Sequence, residues 1–220
     1  MKHKRTINIT VILMLIYIMF IIWYGGNSNP MNQEEVDAMI LKIQRNAGKE
    51  GQPESDVLKI FRELAKNDDG KEYYMVNLQK FRKKALYPEG FNYSDDPIEA
   101  DRRYNMMILP YLLKHGGHPI FVGDVMGRFI HPNDGDDWNQ CAVVRYRSRM
   151  DMMAMVADFA DKNFDVYKWA AVEKTHVFPV KPYFSLFMVR LIIAGIFLIF
   201  GFLLITILGF IKKQGKQSKF

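Results

Sequence analysis

Cysteine is nearly absent from this chain: Cys141 stands alone among 220 residues. An intrachain disulfide is therefore impossible, and so is a zinc site built on cysteines. Also missing are a Gly-rich phosphate loop, a G-x-S-x-G turn, an H-E-x-x-H pair and a C-x-x-C pair. No motif supports nucleotide, serine-hydrolase, zinc-protease or dithiol chemistry. Acids are missing from both ends. All 24 Asp and Glu lie between residues 31 and 181, together with 22 of the 30 Lys and Arg. The net charge of +6 thus belongs to the tails, and the middle of the chain is slightly acidic. Basic tails beside apolar runs report membrane orientation rather than a nucleic-acid footprint, so nucleic acid is excluded as a partner.

What the ends do have is length and hydrophobicity. Residues 7–24 are almost wholly apolar, with Lys2, Lys4 and Arg5 ahead and Trp23-Tyr24 at the finish. About 17–25 apolar residues cross a bilayer as a helix, and aromatic rings favour its interface. A cleaved signal peptide is the alternative, but no A-x-A-like site precedes Gly25-Gly26-Asn27, and the run is long for a signal core. Residues 191–211 carry no charge and are followed by Lys212-Lys213, with Arg190 placed to snorkel at the other end. The chain divides into an anchor at 1–24, a linker and helical hairpin at 25–70, a domain at 71–182, a transmembrane helix at 183–211 and a basic tail at 212–220. Lys and Arg favour the cytoplasmic side. Both termini are therefore expected in the cytoplasm, with the central domain periplasmic or extracellular and the lipid bilayer as a partner.

Val36, Met39, Ile40 and Ile43 recur at helical spacing over 31–46, behind Asn32 as N-cap and Glu34-Glu35 in the first turn. Val57, Leu58, Phe61, Leu64 and Ala65 do the same over 54–66. The pair is read as a hairpin packed on the domain or on a dimer mate, with docking to a membrane protein partner as the sharper alternative. The domain then reads strand 72–81, helix 97–114, strand 119–130, strand 139–147, helix 148–172 and strand 174–180. Alternation puts Tyr74, Val76 and Leu78 on one face of the first strand and Tyr73, Met75, Asn77 and Gln79 on the other. Pro110 lies inside the first helical pattern, Gly116-Gly117 stops it, and 133–137 reads as a solvated acidic turn. This α+β order fits a ferredoxin-like βαββαβ sandwich with helices on one sheet face and the other left for a partner.

The pieces Met75-Val76-Asn77-Leu78-Gln79-Lys80-Phe81, Leu86-Tyr87-Pro88-Glu89-Gly90, His115-Gly116-Gly117, and Trp138 ahead of Val144-Arg145-Tyr146 with Ser148-Arg149 resemble the family called domain of unknown function thirteen-thirty. The resemblance covers about residues 71–181. It implies the dimeric α/β-barrel superfamily, in which two ferredoxin-like units pair their open sheet faces as a homodimer. That superfamily includes monooxygenases that use no cofactor, and isomerases.

Asn77 is the leading candidate, expected on the open sheet face where a barrel cavity would form. The resemblance to cofactor-free monooxygenases places an Asn on the first strand; the alternative is a structural hydrogen bond. His115 suits an acid/base group near neutral pH, while His115 and His118 lack the third donor of a metal site. Arg145 could hold an anionic ligand or pair with an acid such as Asp124. Tyr104, Trp138 and Tyr146 are candidate walls of a ligand pocket. No cofactor and no metal is expected. Two readings stand: a small-molecule site in a dimeric barrel with monooxygenase- or isomerase-like activity, or a non-enzymatic assembly subunit of a membrane complex. A reporter fused after Lys219 is expected to register in the cytoplasm; a periplasmic signal would reverse the orientation.

Overall fold

The computed structural model describes residues 2–25, 29–91, 93–127, 129–130, 137–183 and 189–217, with side chains from Thr6 to Ile211. It forms two units, one from the ends of the chain and one spanning residues 26–183. The first contains α1 (Lys2–Gly25) and α7 (Val189–Gln217). Within them, Thr6–Gly25 (20 residues) and Val189–Ile211 (23 residues) are long and apolar enough to cross a membrane, which fits a membrane protein. The two helices pack antiparallel. Tyr17 Oη donates to the Arg190 carbonyl at 3.2 Å, and the Arg190 guanidinium lies 4.9 Å from the Tyr24 ring centre. Gly201 lets the backbones approach, because a Cβ there would come within 2.8 Å of Leu13 Cδ1.

The second unit begins with α2 (Gln33–Asn46) and α3 (Asp56–Lys66). Asn32 caps α2 in a reciprocal box: its Oδ1 accepts from Glu35 N at 2.9 Å and Glu35 Oε2 accepts from Asn32 N at 2.9 Å. Val36, Ile40 and Ile43 of α2 and Leu58 and Ala65 of α3 are buried in one core with Met152, Met153 and Met155 of α5 (Arg149–Phe159). The helical hairpin is therefore packed on the domain. Behind that core, Asp68, whose side chain is only 1% exposed, accepts from Met31 N at 2.8 Å and pairs with Arg149 at 3.2 Å. Neighbouring Asp69 pairs with Lys181 at 2.7 Å, and that ammonium above all holds its carboxyl down at about 2. One ionic cluster thus ties the start and the end of the unit together.

The sheet is four-stranded and antiparallel, in the order β2-β3-β1-β4. Its strands are β1 (Tyr73–Phe81), β2 (His118–Asp124), β3 (Gln140–Tyr146) and β4 (Val172–Val180). The remaining helices are α4 (Pro97–Lys114) and α6 (Asp165–Ala171). Two expectations need correction. The helix read over 148–172 is broken into α5 and α6, because Asn163 takes φ +52, a left-handed conformation that Asn tolerates. The turn lets Phe164 stack on Phe159 at 6.0 Å and meet Tyr111 at 5.8 Å. The strand read over 119–130 is shorter, because its partner β3 ends opposite Asp124 at Gln140. Of the acidic turn at 133–137, residues 133–136 lie outside the described residues, and Asp137 pairs with Lys80 at 2.7 Å.

The faces of β1 also sort differently from expectation. Tyr73 and Gln79 are buried, and Gln79 Nε2 donates to Asp101 of α4, so the Tyr73-Met75-Asn77-Gln79 face lies under the helices. Asn77 is therefore not on the open face. That face carries Tyr74, Val76 and Leu78, with Cys141, Val143 and Phe178 as cross-strand neighbours. Ile40→Ala should cost about 2–5 kcal/mol, as for a fully buried aliphatic side chain, whereas exposed Val57→Ala should change stability by under about 0.5 kcal/mol. Urea unfolding of the full chain in detergent, followed by fluorescence, checks both.

Candidate functional site

A cavity of about 450 Å³ lies between α4, α6 and the helix-facing side of the sheet. Pro97 at the first helical turn and the Asp96 cap, which accepts from Ile98 N at 2.9 Å, set the start of α4. Gly116, at φ +71, ends it. Gly117 then lets β2 begin close by, since a Cβ there would meet Leu112 Cδ1 at 2.4 Å. With both ends held, Ile98, Asp101, Asn105, Ile108 and Leu112 fall on one helical face and line the cavity. Val122 of β2 and Ala142, Val144 and Tyr146 of β3 form the opposite wall. Such an apolar hollow with a few converging polar groups is the usual form of a small-molecule site.

The polar groups come from four elements, α4, α6, β1 and β3. Asp101 is 5% exposed. Its carboxylate accepts from Asn105 Nδ2 at 2.7 Å and, weakly, from Gln79 Nε2 at 3.5 Å. Burial raises its pKa, opposed by the charge of Lys168 and by the two amides. Lys168 of α6 reaches the same cavity, where desolvation lowers its pKa and Asp101 opposes that shift. Its Nζ sits 5.5 Å from the Tyr104 ring centre and 5.9 Å from that of Trp169. Cation–π contacts contribute roughly 0.5–2 kcal/mol, less than the several kcal/mol that desolvating an ion costs. Lys168 is half-buried, so it bears part of that cost, which ring faces offset only in part. Asn77 Nδ2 donates to the Met75 carbonyl at 3.1 Å and lies at 3.5 Å from that of Ala142, and Asn77 lines the cavity from β1. Burial pushes the Tyr146 phenol to about 12 and the Tyr104 phenol above its usual range, so both stay protonated donors at neutral pH.

Of the residues named from sequence, Asn77, Tyr104 and Tyr146 come together here, and three do not. His115 caps α4, and its Nε2 lies 2.9 Å from Asp158 Oδ2, which Lys114 also holds at 2.6 Å. Trp138 sits beside His176, 6.3 Å between ring centres, beneath Lys174 at 4.6 Å. Arg145 alternates with Tyr146 and so points away from the cavity. It is fully buried, donates to Gly116 O at 2.7 Å and pairs with Glu72 at 2.6 Å. The acid it pairs with is therefore Glu72, and a role in holding a ligand anion in this cavity does not fit its geometry. Among the described residues no set of three His, Cys, Asp or Glu converges as a metal site.

Gln79, Asp101, Asn105 and Lys168 were missed. The sequence did hold a signal for Asp101: it stands within the apolar stripe of α4, three residues after Ile98 and seven before Ile108. Lys168 had none, because one continuous helix left its direction open. A second depression, about 540 Å³ and more open, is lined by Tyr87, Phe91 and Trp169, but it gathers few polar groups. The raised pKa of Asp101 sets a sign. A protonated Asp101 favours the folded state below the usual carboxylate range, and that contribution is lost as pH rises through the folded pKa. The stability of the wild type relative to Asp101→Asn should therefore fall as pH climbs above about 4, read by urea unfolding at successive pH values. A rising difference would mean that the cavity favours the carboxylate.

No family model matches the chain, and no curated protein matches it. Two crystal structures are similar in fold. One is of a protein of unknown function from Rhodopseudomonas palustris, at 25% identity and a TM-score of 0.51, covering 61% of this chain and 97% of that one. The other is of the methylated form of that protein, at 26% identity and a TM-score of 0.51, covering 61% and 95%. These likenesses place nearly the whole of a separately crystallised α+β protein within this longer chain.

Proposed function

We propose that this chain is a membrane-anchored, ferredoxin-like unit that binds a small, largely apolar molecule between its helices and its sheet. The observation that carries the reading is the cavity itself, in which Asn77, Asp101, Lys168 and the phenols of Tyr104 and Tyr146 converge on apolar walls. The strand order β2-β3-β1-β4 supports the ferredoxin-like assignment and the resemblance to domain of unknown function thirteen-thirty. The dimer is formed by the open sheet faces, where Tyr74, Val76, Leu78 and Phe178 are only partly covered. Both basic tails lie in the cytoplasm and the unit lies outside it. The chemistry is a cofactor-independent isomerisation or oxygenation in that cavity. A structural role in a membrane complex is the second reading, favoured by Val57 and Ile60 of α3, which are 57% and 63% exposed on one side of the hairpin.

Native mass spectrometry of the full chain, released from detergent, tests the first reading. A dimer with a small molecule bound to each protomer is expected, with the molecule lost and the dimer kept in Ala142→Phe, which fills the cavity. A protomer with no bound mass in the wild type would favour the assembly role.

A further inference from the structure

Lys168 differs from the other lysines that face neighbours in this unit. Lys80, Lys84, Lys114 and Lys181 each hold a carboxylate within 3.0 Å. Among the described residues, the Lys168 side chain has neither a hydrogen bond nor a carboxylate within 4 Å, although it lines a cavity that a buried acid also lines. What lies around it instead is the face of Tyr104, the face of Trp169 and the apolar lining. Desolvation in such surroundings favours the free amine, the nucleophilic form, against the pull of the ring faces and of Asp101 toward the ammonium. Salt-bridged lysines are held as ammonium and cannot attack.

We propose that Lys168 is a nucleophilic amine that takes apolar aldehydes or ketones as imines, with Asp101 as the acid that assists. The proposal rests on the reading of the cavity as a small-molecule site and names the class of molecule. The Nζ lone pair forms a bond to the carbonyl carbon, and the C=O π pair moves to oxygen, which takes up a proton from the nitrogen. Asp101 gives its carboxyl proton to the resulting hydroxyl, which leaves as water while the remaining nitrogen lone pair forms the C=N bond. The products are a protonated imine, one water and the Asp101 carboxylate, so charge and protons balance without an oxidant, a reductant or a metal. Burial favours the two neutral reactants, a protonated acid and a free amine. The product pair is opposite in charge and held in one hollow, and the Asn105 amide already donates to the carboxylate that forms. The walls select the rest of the molecule. Ile98, Leu112, Val122 and Val144 exclude a charged or heavily hydroxylated chain.

Reductive trapping tests this on the full chain in detergent at pH 7. The protein is treated with benzaldehyde and cyanoborohydride, which reduces imines to stable amines, and modified lysines are mapped by peptide mass spectrometry over time. Lys83, exposed on the surface, is the internal control. Lys168 is expected to be modified about a hundredfold faster than Lys83, the low end of what a positioned acid contributes. Asp101→Asn should remove that preference while leaving the Lys83 rate unchanged, and Ala142→Phe should block Lys168 alone. Lys168 reacting no faster than Lys83 in the wild type overturns the imine. If native mass spectrometry then still finds a bound small molecule, the binding site stands and only its chemistry falls. An equal Lys168 preference in Asp101→Asn overturns the part given to Asp101.

Discussion

The position of β1 at the centre of the sheet constrains nearly everything else. Both of its edges are paired, with β3 and β4, so its side chains can only point up or down. One face, with Tyr73 and Gln79, is pressed under the helices, and the other, with Tyr74, Val76 and Leu78, is turned away from them. Tyr73 stacks on Tyr146 at 5.5 Å between ring centres, which anchors the register of β1 against β3 at one end. A slip of one residue would exchange the two faces and bring Val76 and Leu78 under α4 in place of Asn77 and Gln79. The register places an amide, that of Gln79, rather than an aliphatic chain against the buried Asp101.

Charge is treated in two ways within the same unit. At the periphery and at the ends of the sheet, cations are matched closely. Arg62 bridges Glu54 and Asp37 across α2 and α3, Arg147 pairs with Asp151 at 2.5 Å, and Arg149 with Asp68 and Asp69 draws both ends of the unit together. Such pairs fix geometry while remaining chemically quiet, because each partner stabilises the ionised form of the other. In the cavity Asp101 and Lys168 are kept further apart, and desolvation works on each of them. The contrast separates residues that hold the fold from residues able to exchange protons. It also explains why Arg145 and His115, which look like reactive residues in the sequence, are structural: each already has its carboxylate, Glu72 or Asp158.

Much of this was legible in the sequence. The apolar period and the caps predict a helix over 97–114, the bounds that the structure gives it. Asn32 as a cap, the burial of Val36, Ile40 and Ile43, and the two long apolar helices at the ends all follow from local signals. So does the grouping of Tyr73, Met75, Asn77 and Gln79 on one face. The structure departs from the sequence pattern where the local signal is silent or ambiguous. A left-handed Asn163 leaves no strong mark in a helical pattern, and the length of β2 depends on where β3 begins.

The sequence by itself determined most of the helices and strands, where the apolar ends lie and which residues share a face, because caps, period and hydrophobic length act over a few neighbouring residues. It could not say which face of β1 the helices cover, since that depends on the side of the sheet to which α4 and α5 return. Nor could it bring Asp101 of α4 to the same hollow as Lys168 of α6, because β2, β3 and α5 lie between them in the chain. Only packing closes that distance, and only burial by parts of the chain remote in sequence turns an ordinary aspartate and an ordinary lysine into a candidate site.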